Sequence, residues 1–496
     1  MRRFTLPILL SLLFAVPALA GMPTSRARVL LTLADSPDDL RARLLAYADS
    51  TVAGDPYGAG EAFHYAGLSL QREGRIDSAI ACHRRAVVLR GAEEESFALV
   101  DQLLLRRAPA DVAEVFTRLA PMTESASLDP RLKAAVLGRL AWARFLDSQT
   151  DSAASLFDSV ELQLRPQSEW RYRMGRVRLA QKHYRQAGDL LLQNAVLSRG
   201  TDDEVIEMLE TIGTGLGMTE RIRDEVFRQV NERDKVEQAL AKALGGSLVR
   251  LWASDGFPLV GLALGPTRRA RTTPTRLRPL ALVLMAPADT LASGDSLAVA
   301  LRRHGYAVLL LQPRGSGNSV APACPLHDAW LDRESMMQTR VARDVRDAVR
   351  GLARLMPVDT TRYLLAGVGL TAGIAVEAAT LDARARALLL VSPAPAPVDR
   401  GVTRARLARL RLPVFFQIAP EDFDDCYEIT EALYQAGDRG ASRVSDATTS
   451  GRGLAQFRKD AKVIPRFLNW LDGALPRRAA PAAKAAPRPT PPAPRR

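Results

Sequence analysis

Apolar residues recur every three to four positions along residues 35–240, and almost none of that stretch alternates with a period of two. Such spacing predicts amphipathic helices packed side by side. Small residues punctuate the pattern at Ala66-Gly67, Gly74, Ala79 and Ala86. Ala113 and Ala120 lie 34 residues beyond Ala79 and Ala86, Ala153 with Phe157 comes 40 residues after Ala113, and Ala187 follows after another 34. Repetition at this period predicts paired helices that touch at small side chains, because each must approach its neighbour closely to bury a shared face. One insertion, Pro121 to Pro130, interrupts the spacing. The GTGLG run from Gly213 to Gly217 follows a helical segment instead of a strand, which marks a helix–helix loop and not a dinucleotide fingerprint.

From Ser247 the period changes. Ser247–Ala253, an Asp255-Gly256 turn and Leu259–Leu264 predict a hairpin. Apolar strands then alternate with helical segments. Strands are predicted at 280–285, 307–311, 363–366, 387–391, 414–418 and 442–444, with helices near 295–304 and 340–355. Continuous apolar strands separated by helices predict a doubly wound sheet covered on both faces. The fold class is therefore a helical-repeat array followed by a doubly wound α/β sheet.

The small-residue pattern resembles tetratricopeptide repeats over about 150 residues, although Leu, His or Arg replace several signature aromatics. That resemblance implies a concave surface holding a protein or peptide partner. A helical layer that only packs on the next domain is the other reading, and His83 and His183 then serve as packing or surface residues. The second half resembles the α/β-hydrolase family over about 230 residues. Gly305-Tyr306-Ala307-Val308 leads to Pro313-Arg314-Gly315-Ser316-Gly317-Asn318-Ser319, similar to that family's GYxV…RGxGxS strand and turn. Ser335, Arg340, Asp344, Val358-Asp359 and Leu381-Asp382-Ala383-Arg384 look most like its acetyl-xylan-esterase-type branch.

That resemblance directs attention to Gly367-Val368-Gly369-Leu370-Thr371, a strand, tight turn and small-residue helix of the kind that holds a nucleophilic serine as G-x-S-x-G. Gly369 occupies the nucleophile's place, and counting ten residues from Asp359 reaches the same position. By the same resemblance Asp422 in Pro420-Glu421-Asp422 stands for the acid, while Arg452 in Gly451-Arg452-Gly453 replaces the histidine. A guanidinium cannot accept a proton near neutrality. Ala286-Pro287 replaces the His-Gly of the oxyanion loop, and proline has no N–H to donate. No catalytic residue is expected at the degenerate positions Gly369, Asp422 and Arg452. An Asp422–Arg452 ion pair closing the site is the expected consequence. In a shifted register Thr371 is the fallback nucleophile, with His327 as the fallback base, since none of the five histidines follows the elbow.

Composition adds a few limits. Of the net charge of +13, the Ala/Pro/Arg-rich tail from Pro476 carries six and Arg2 with Arg3 two, leaving +5 and little reason to invoke nucleic acid. Arg2-Arg3, the apolar run Leu6–Val16 and Ala18-Leu19-Ala20 predict an export signal cut after Ala20, hence a periplasmic or secreted protein. No later run is long enough to span a membrane. Cys82, Cys324 and Cys426 lack metal-ligand spacing; either Cys324 bridges Cys426 or all three are thiols. The acidic run Glu421, Asp422, Asp424, Asp425 reads as a solvated loop or a cation site, and no metal or cofactor is expected.

The organisation expected is a signal peptide (1–20), tetratricopeptide-like repeats (35–200), a helical connector (201–245), an α/β-hydrolase-like domain (246–475) and a disordered basic tail (476–496). The function expected is binding by an exported pseudo-hydrolase. Candidate partners are a protein or peptide on the repeats, a small ligand above Gly369, and an anionic cell-envelope polymer at the tail. The alternative is a secreted ester or peptide hydrolase using Thr371.

Overall fold

The structure is a computed structural model and describes residues 26–34, 36–123, 129–218, 221–265, 277–287, 289–324, 334–422, 426–448 and 451–476. The signal-like segment and the tail beyond residue 476 lie outside these residues.

Helices α1 (Arg26–Leu33), α2 (Pro37–Thr51), α3 (Pro56–Arg72), α4 (Ile76–Leu89), α5 (Glu93–Arg106) and α6 (Pro109–Thr123) form the first half of the array. Helices α7 (Pro130–Leu146), α8 (Thr150–Leu164), α9 (Ser168–Ala180), α10 (Tyr184–Leu197), α11 (Asp203–Gly215) and α12 (Ile222–Ala243) complete it. Several start the same way. Ser36, Asp55 and Asp129 cap α2, α3 and α7 through their side chains, each followed by a proline whose missing N–H costs nothing at a helix's first position.

Glycines set how closely the helices approach. A Cβ on Gly67 of α3 would lie 2.6 Å from the His83 ring of α4, and one on Gly175 of α9 would lie 2.6 Å from Leu191 of α10. Ala79, Ala86, Ala153 and Ala187 are fully buried at such contacts. Ala113 and Ala120 differ from expectation: both are exposed, and α6 buries Val112, Val115 and Leu119. Branched residues one position earlier supply the apolar face there, so the small-residue register does not carry through this helix.

The sheet has eight strands in the order β1-β2-β4-β3-β5-β6-β7-β8. These are β1 (Gly246–Trp252), β2 (Pro258–Leu264), β3 (Arg278–Leu284), β4 (Ala307–Leu311), β5 (Val358–Val368), β6 (Ala385–Val391), β7 (Val414–Ile418) and β8 (Arg443–Asp446). β2 runs antiparallel to β1 and β4, and the remaining pairs are parallel. Alternate side chains feed two cores. Leu280, Leu282 and Leu284 pack beneath α14 (Glu334–Leu355), α15 (Thr371–Leu381), α16 (Arg400–Leu410) and α17 (Cys426–Ala436). Ala281, Val283 and Met285 pack beneath α13 (Asp295–Arg303) and α19 (Val463–Ala474), with the short α18 (Gln456–Lys459) beside them. This is the predicted doubly wound, α/β-hydrolase-like sheet, with β5 and α14 each beginning several residues earlier than expected.

Both ends of the array are bonded to loops that leave the C-terminal ends of strands. Arg72 of α3 pairs with Asp399 after β6 at 2.5 Å, and the start of α16 at Gly401 abuts the carbonyls of Leu31 and Ala34. Farther along, Arg199 grips Asp234 with two 2.6 Å contacts and reaches Asn318 after β4 at 2.6 Å. The Asn318 amide in turn donates to Glu237 of α12. In the sheet β3 and β5 lie between β4 and β6, so the array is fastened on either side of the β5 edge.

Candidate functional site

The strand–turn–helix at β5 and α15 keeps the shape of a nucleophile elbow. Gly369 has φ +58°, the left-handed conformation that side chains other than glycine's adopt only under strain. A Cβ built there would meet nothing within 4 Å. The turn is held by Gly369 N–H donating to Val391 and by Ala372 and Ala394 N–H donating to the Gly369 carbonyl. Gly367 is sterically obligatory, because a Cβ would stand 2.5 Å from the Thr371 carbonyl. At Gly369 the turn has room for a side chain and carries none.

Thr371, the fallback nucleophile, is held by backbone groups. It is fully buried; its Oγ1 accepts the Val368 N–H at 2.8 Å and lies 2.9 Å from the carbonyls of Leu284 and Val368, one of which takes its proton. The hydroxyl satisfies backbone groups at the helix start and is turned away from the open side of the elbow. His327, the fallback base, lies outside the described residues. His304 is bonded to Asp472 at 2.9 Å, and His64, His83 and His183 belong to the array. Burial pushes His64 down to about 4 and His83 to about 3, so both rings are neutral.

Asp422 and the turn at Arg452 lie in loops beside the elbow, with Gly453 against Val368. Asp422 is buried, with Oδ2 accepting the Ala419 N–H at 2.7 Å and Cys426 Sγ 3.9 Å away. Burial raises its carboxyl above the usual range, against the Ser392 hydroxyl, the Ala419 N–H and the Arg452 charge. The expected Asp422–Arg452 ion pair does not form. Arg452 is exposed and its Nε donates to the Glu421 carbonyl, whereas Asp422 is buried. Gly453 follows Arg452, lies against Val368 and gives its N–H to Ser392 at 3.1 Å. Pro287, in the loop after β3, has no N–H to offer, and its carbonyl accepts the Ser316 hydroxyl at 2.7 Å.

Three residues not singled out in the sequence complete this region. Gln417 donates to Gln456 at 2.8 Å, and Gln456 donates to Ser392 at 2.8 Å; both glutamines are fully buried. Ser392 sits at φ +45° directly after β6. Two N–H groups, from Gly453 and the Gln456 amide, point at its oxygen. A fixed amide–hydroxyl network thus underlies the elbow. The one legible signal was Gln417, a lone polar residue inside an apolar strand.

A cavity of about 970 Å³ lies in the helical array, lined among others by Trp142, Trp170, Tyr172, Arg139 and Gln102. Its walls interleave cations and rings: Arg139 is bidentate to Asp101 and 4.5 Å over Phe97, and Arg173 is 4.7 Å over Trp170. Gln102 is 2% exposed and its Oε1 has no hydrogen-bond partner. All three cysteines are buried and none is in a disulfide, so Cys324 and Cys426 are not bridged. Asp424 and Asp425 of the acidic run lie outside the described residues. Among the described residues no helix is long and apolar enough to cross a membrane.

No protein-family model and no curated protein matches the chain. Similar solved structures include a CIB-like hydrolase from Thermoplasma acidophilum, at 15% identity over 46% of this chain and 100% of that one, TM-score 0.36. An acetyl xylan esterase from Paenibacillus sp. R4 is similar at 17% identity over 47% and 93% of the two chains, TM-score 0.34. An esterase domain from Rhodothermus marinus is similar at 16% identity over 46% and 97%, TM-score 0.33.

Proposed function

We infer that this chain is a non-catalytic protein on a hydrolase-type scaffold, acting by binding a protein or peptide segment in the groove of its helical array. The observation that carries the reading is Gly369: an elbow that keeps the left-handed φ of +58° and free space for a side chain, and has none. The turn at Arg452 supplies a permanent cation where proton transfer needs a base. Hydrolysis through Thr371 would require a buried hydroxyl to abandon backbone partners at 2.8 and 2.9 Å.

The groove offers what extended peptides need: aromatic faces, arginines stacked on them, and an amide oxygen without a partner. Export after Ala20 and retention on an anionic envelope polymer through the basic tail belong to the same reading, and both rest on sequence. Salt-sensitive envelope retention that vanishes when Pro476–Arg496 is deleted supports the tail's part. For the groove, peptides selected from a random display library on the natural protein should lose binding in Arg107→Glu/Arg131→Glu, whose residues are exposed on its wall. Unchanged binding in that variant rejects the groove as the site.

A further inference from the structure

We propose a divalent transition-metal site in the array, formed by His64 of α3 with Glu94 and Glu95 of α5. One ring nitrogen of His64 and one carboxylate oxygen from each glutamate lie within 4.8 Å of one another. Three helix-borne side chains, from two helices separated by α4, meet at this point. A sequence reading that treated histidines singly had no means of finding it, and none expected a metal here.

The polar atoms gathered here are short of partners. Nδ1 of His64, which is 6% exposed, is buried without a hydrogen bond. Glu95 is fully buried; Arg90 takes its Oε1 at 2.5 Å, and its Oε2 is buried and unpartnered. Behind them stands His83, also fully buried, its ring 5.4 Å from that of His64 and both its nitrogens unpartnered. Buried polar atoms without partners are unfavourable, because they have lost their hydrogen bonds to water and gained none in exchange. A cation contacted by His64 and by Glu95 Oε2 would relieve two of them at once. Arg90 stays in place meanwhile, as an outer partner orienting the carboxylate through its other oxygen.

The donor set names the class of ion. One imidazole and two carboxylates suit zinc or a similar first-row divalent ion; an all-oxygen set would favour magnesium or calcium. A 4.8 Å separation is wider than a bound tetrahedral set, so the side chains must move inward by about 1 Å to reach ligand distances of roughly 2 Å. Glu94 is exposed and free to make that move. Its exposure also leaves one coordination position facing solvent.

The test uses untagged, chelator-treated full-length protein titrated with Zn²⁺ alone, read by calorimetry and by thermal unfolding. The expected result is one ion per chain, a metal-dependent rise in Tm, and no response to Mg²⁺. Glu94→Gln, an exposed change that leaves the fold intact, should weaken Zn²⁺ binding about tenfold or more, and His64→Ala should abolish it. His183→Ala, at an exposed histidine elsewhere in the array, should change nothing. Binding that is absent, that persists unchanged in Glu94→Gln, or that is lost in His183→Ala overturns the proposal. These readouts are independent of the groove and of any reaction at the elbow.

Discussion

Arg314 is the side chain on which the sheet's C-terminal edge most depends. Its guanidinium is 3% exposed, bidentate to Asp344 of α14 at 2.6 Å, bidentate to Asp255 of the β1–β2 turn at 2.8 Å, and 4.4 Å over the Phe257 ring. Asp344 is equally buried at 3%, whereas Asp255 is 42% exposed. The two carboxylates should therefore differ sharply. Asp344→Ala leaves a buried cation half-paired and should cost about 3–5 kcal/mol, the range for breaking a buried ion pair from one side. Asp255→Ala removes a partner that water can replace and should cost about 1 kcal/mol or less. Replacing both buried partners, Arg314→Met with Asp344→Leu, removes the orphan charge and should recover most of the loss. Urea unfolding followed by far-UV circular dichroism, compared at constant m-value, reads all three. Equal costs for Asp344→Ala and Asp255→Ala, or no recovery in the double variant, would refute the reasoning.

Three further outcomes are expected. Asp422 has its carboxyl raised by burial, so the folded protein holds a proton longer than the unfolded chain does. Stability from this group is full below the unfolded value near 4 and falls as pH rises through the folded one. Asp422→Asn should thus match or exceed the natural Tm at pH 7.5, with the difference closing near pH 4; a lower Tm at pH 7.5 counts against it. Asp255 is the opposite case, lowered chiefly by its hydrogen bonds to Arg314, and its contribution should fade only as pH drops below about 4. An unchanged acid limb in Asp255→Asn would contradict that. Gly67→Ala would place a methyl 2.6 Å from the His83 ring, and its overpacking cost of about 1–3 kcal/mol should outweigh alanine's helix preference of up to about 1 kcal/mol. A stabilised Gly67→Ala protein would show that α3 and α4 separate more easily than their packing implies.

Much of the fold was legible because it rests on local periodicity. The strands at 280–285, 307–311 and 414–418 are short apolar runs with turn residues at their ends, and they fall where the pattern put them. The array's helices follow from the same period and from Ser/Asp-Pro starts such as Asp55-Pro56. Register was less secure, because branched residues substitute for small ones. Val112 and Leu119 bury where Ala113 and Ala120 were expected, and composition alone does not mark the difference. At the elbow, the glycine standing where the resemblance puts a nucleophile was visible in the sequence as Gly369 itself. The state of the surrounding side chains was not: whether Arg452 meets Asp422 depends on which side of a turn each faces, and that is set by tertiary packing. The Ser392–Gln456–Gln417 chain joins positions up to 64 residues apart, and the cluster of His64, Glu94 and Glu95 spans two helices separated by a third. Neither has a one-dimensional pattern.

The central claim is that the scaffold of a hydrolase persists here without its chemistry. Hydrolysis of short-chain p-nitrophenyl esters by the natural protein, beside a variant carrying Gly369→Ser and Arg452→His, tests it directly. The space above Gly369 admits a serine side chain, at a backbone cost of about 1–2 kcal/mol for φ +58°. The account predicts no turnover above the buffer rate in the natural protein and measurable turnover in the double variant. Turnover by the natural protein that survives Thr371→Val would contradict it, and would mean that a nucleophile stands somewhere other than the elbow.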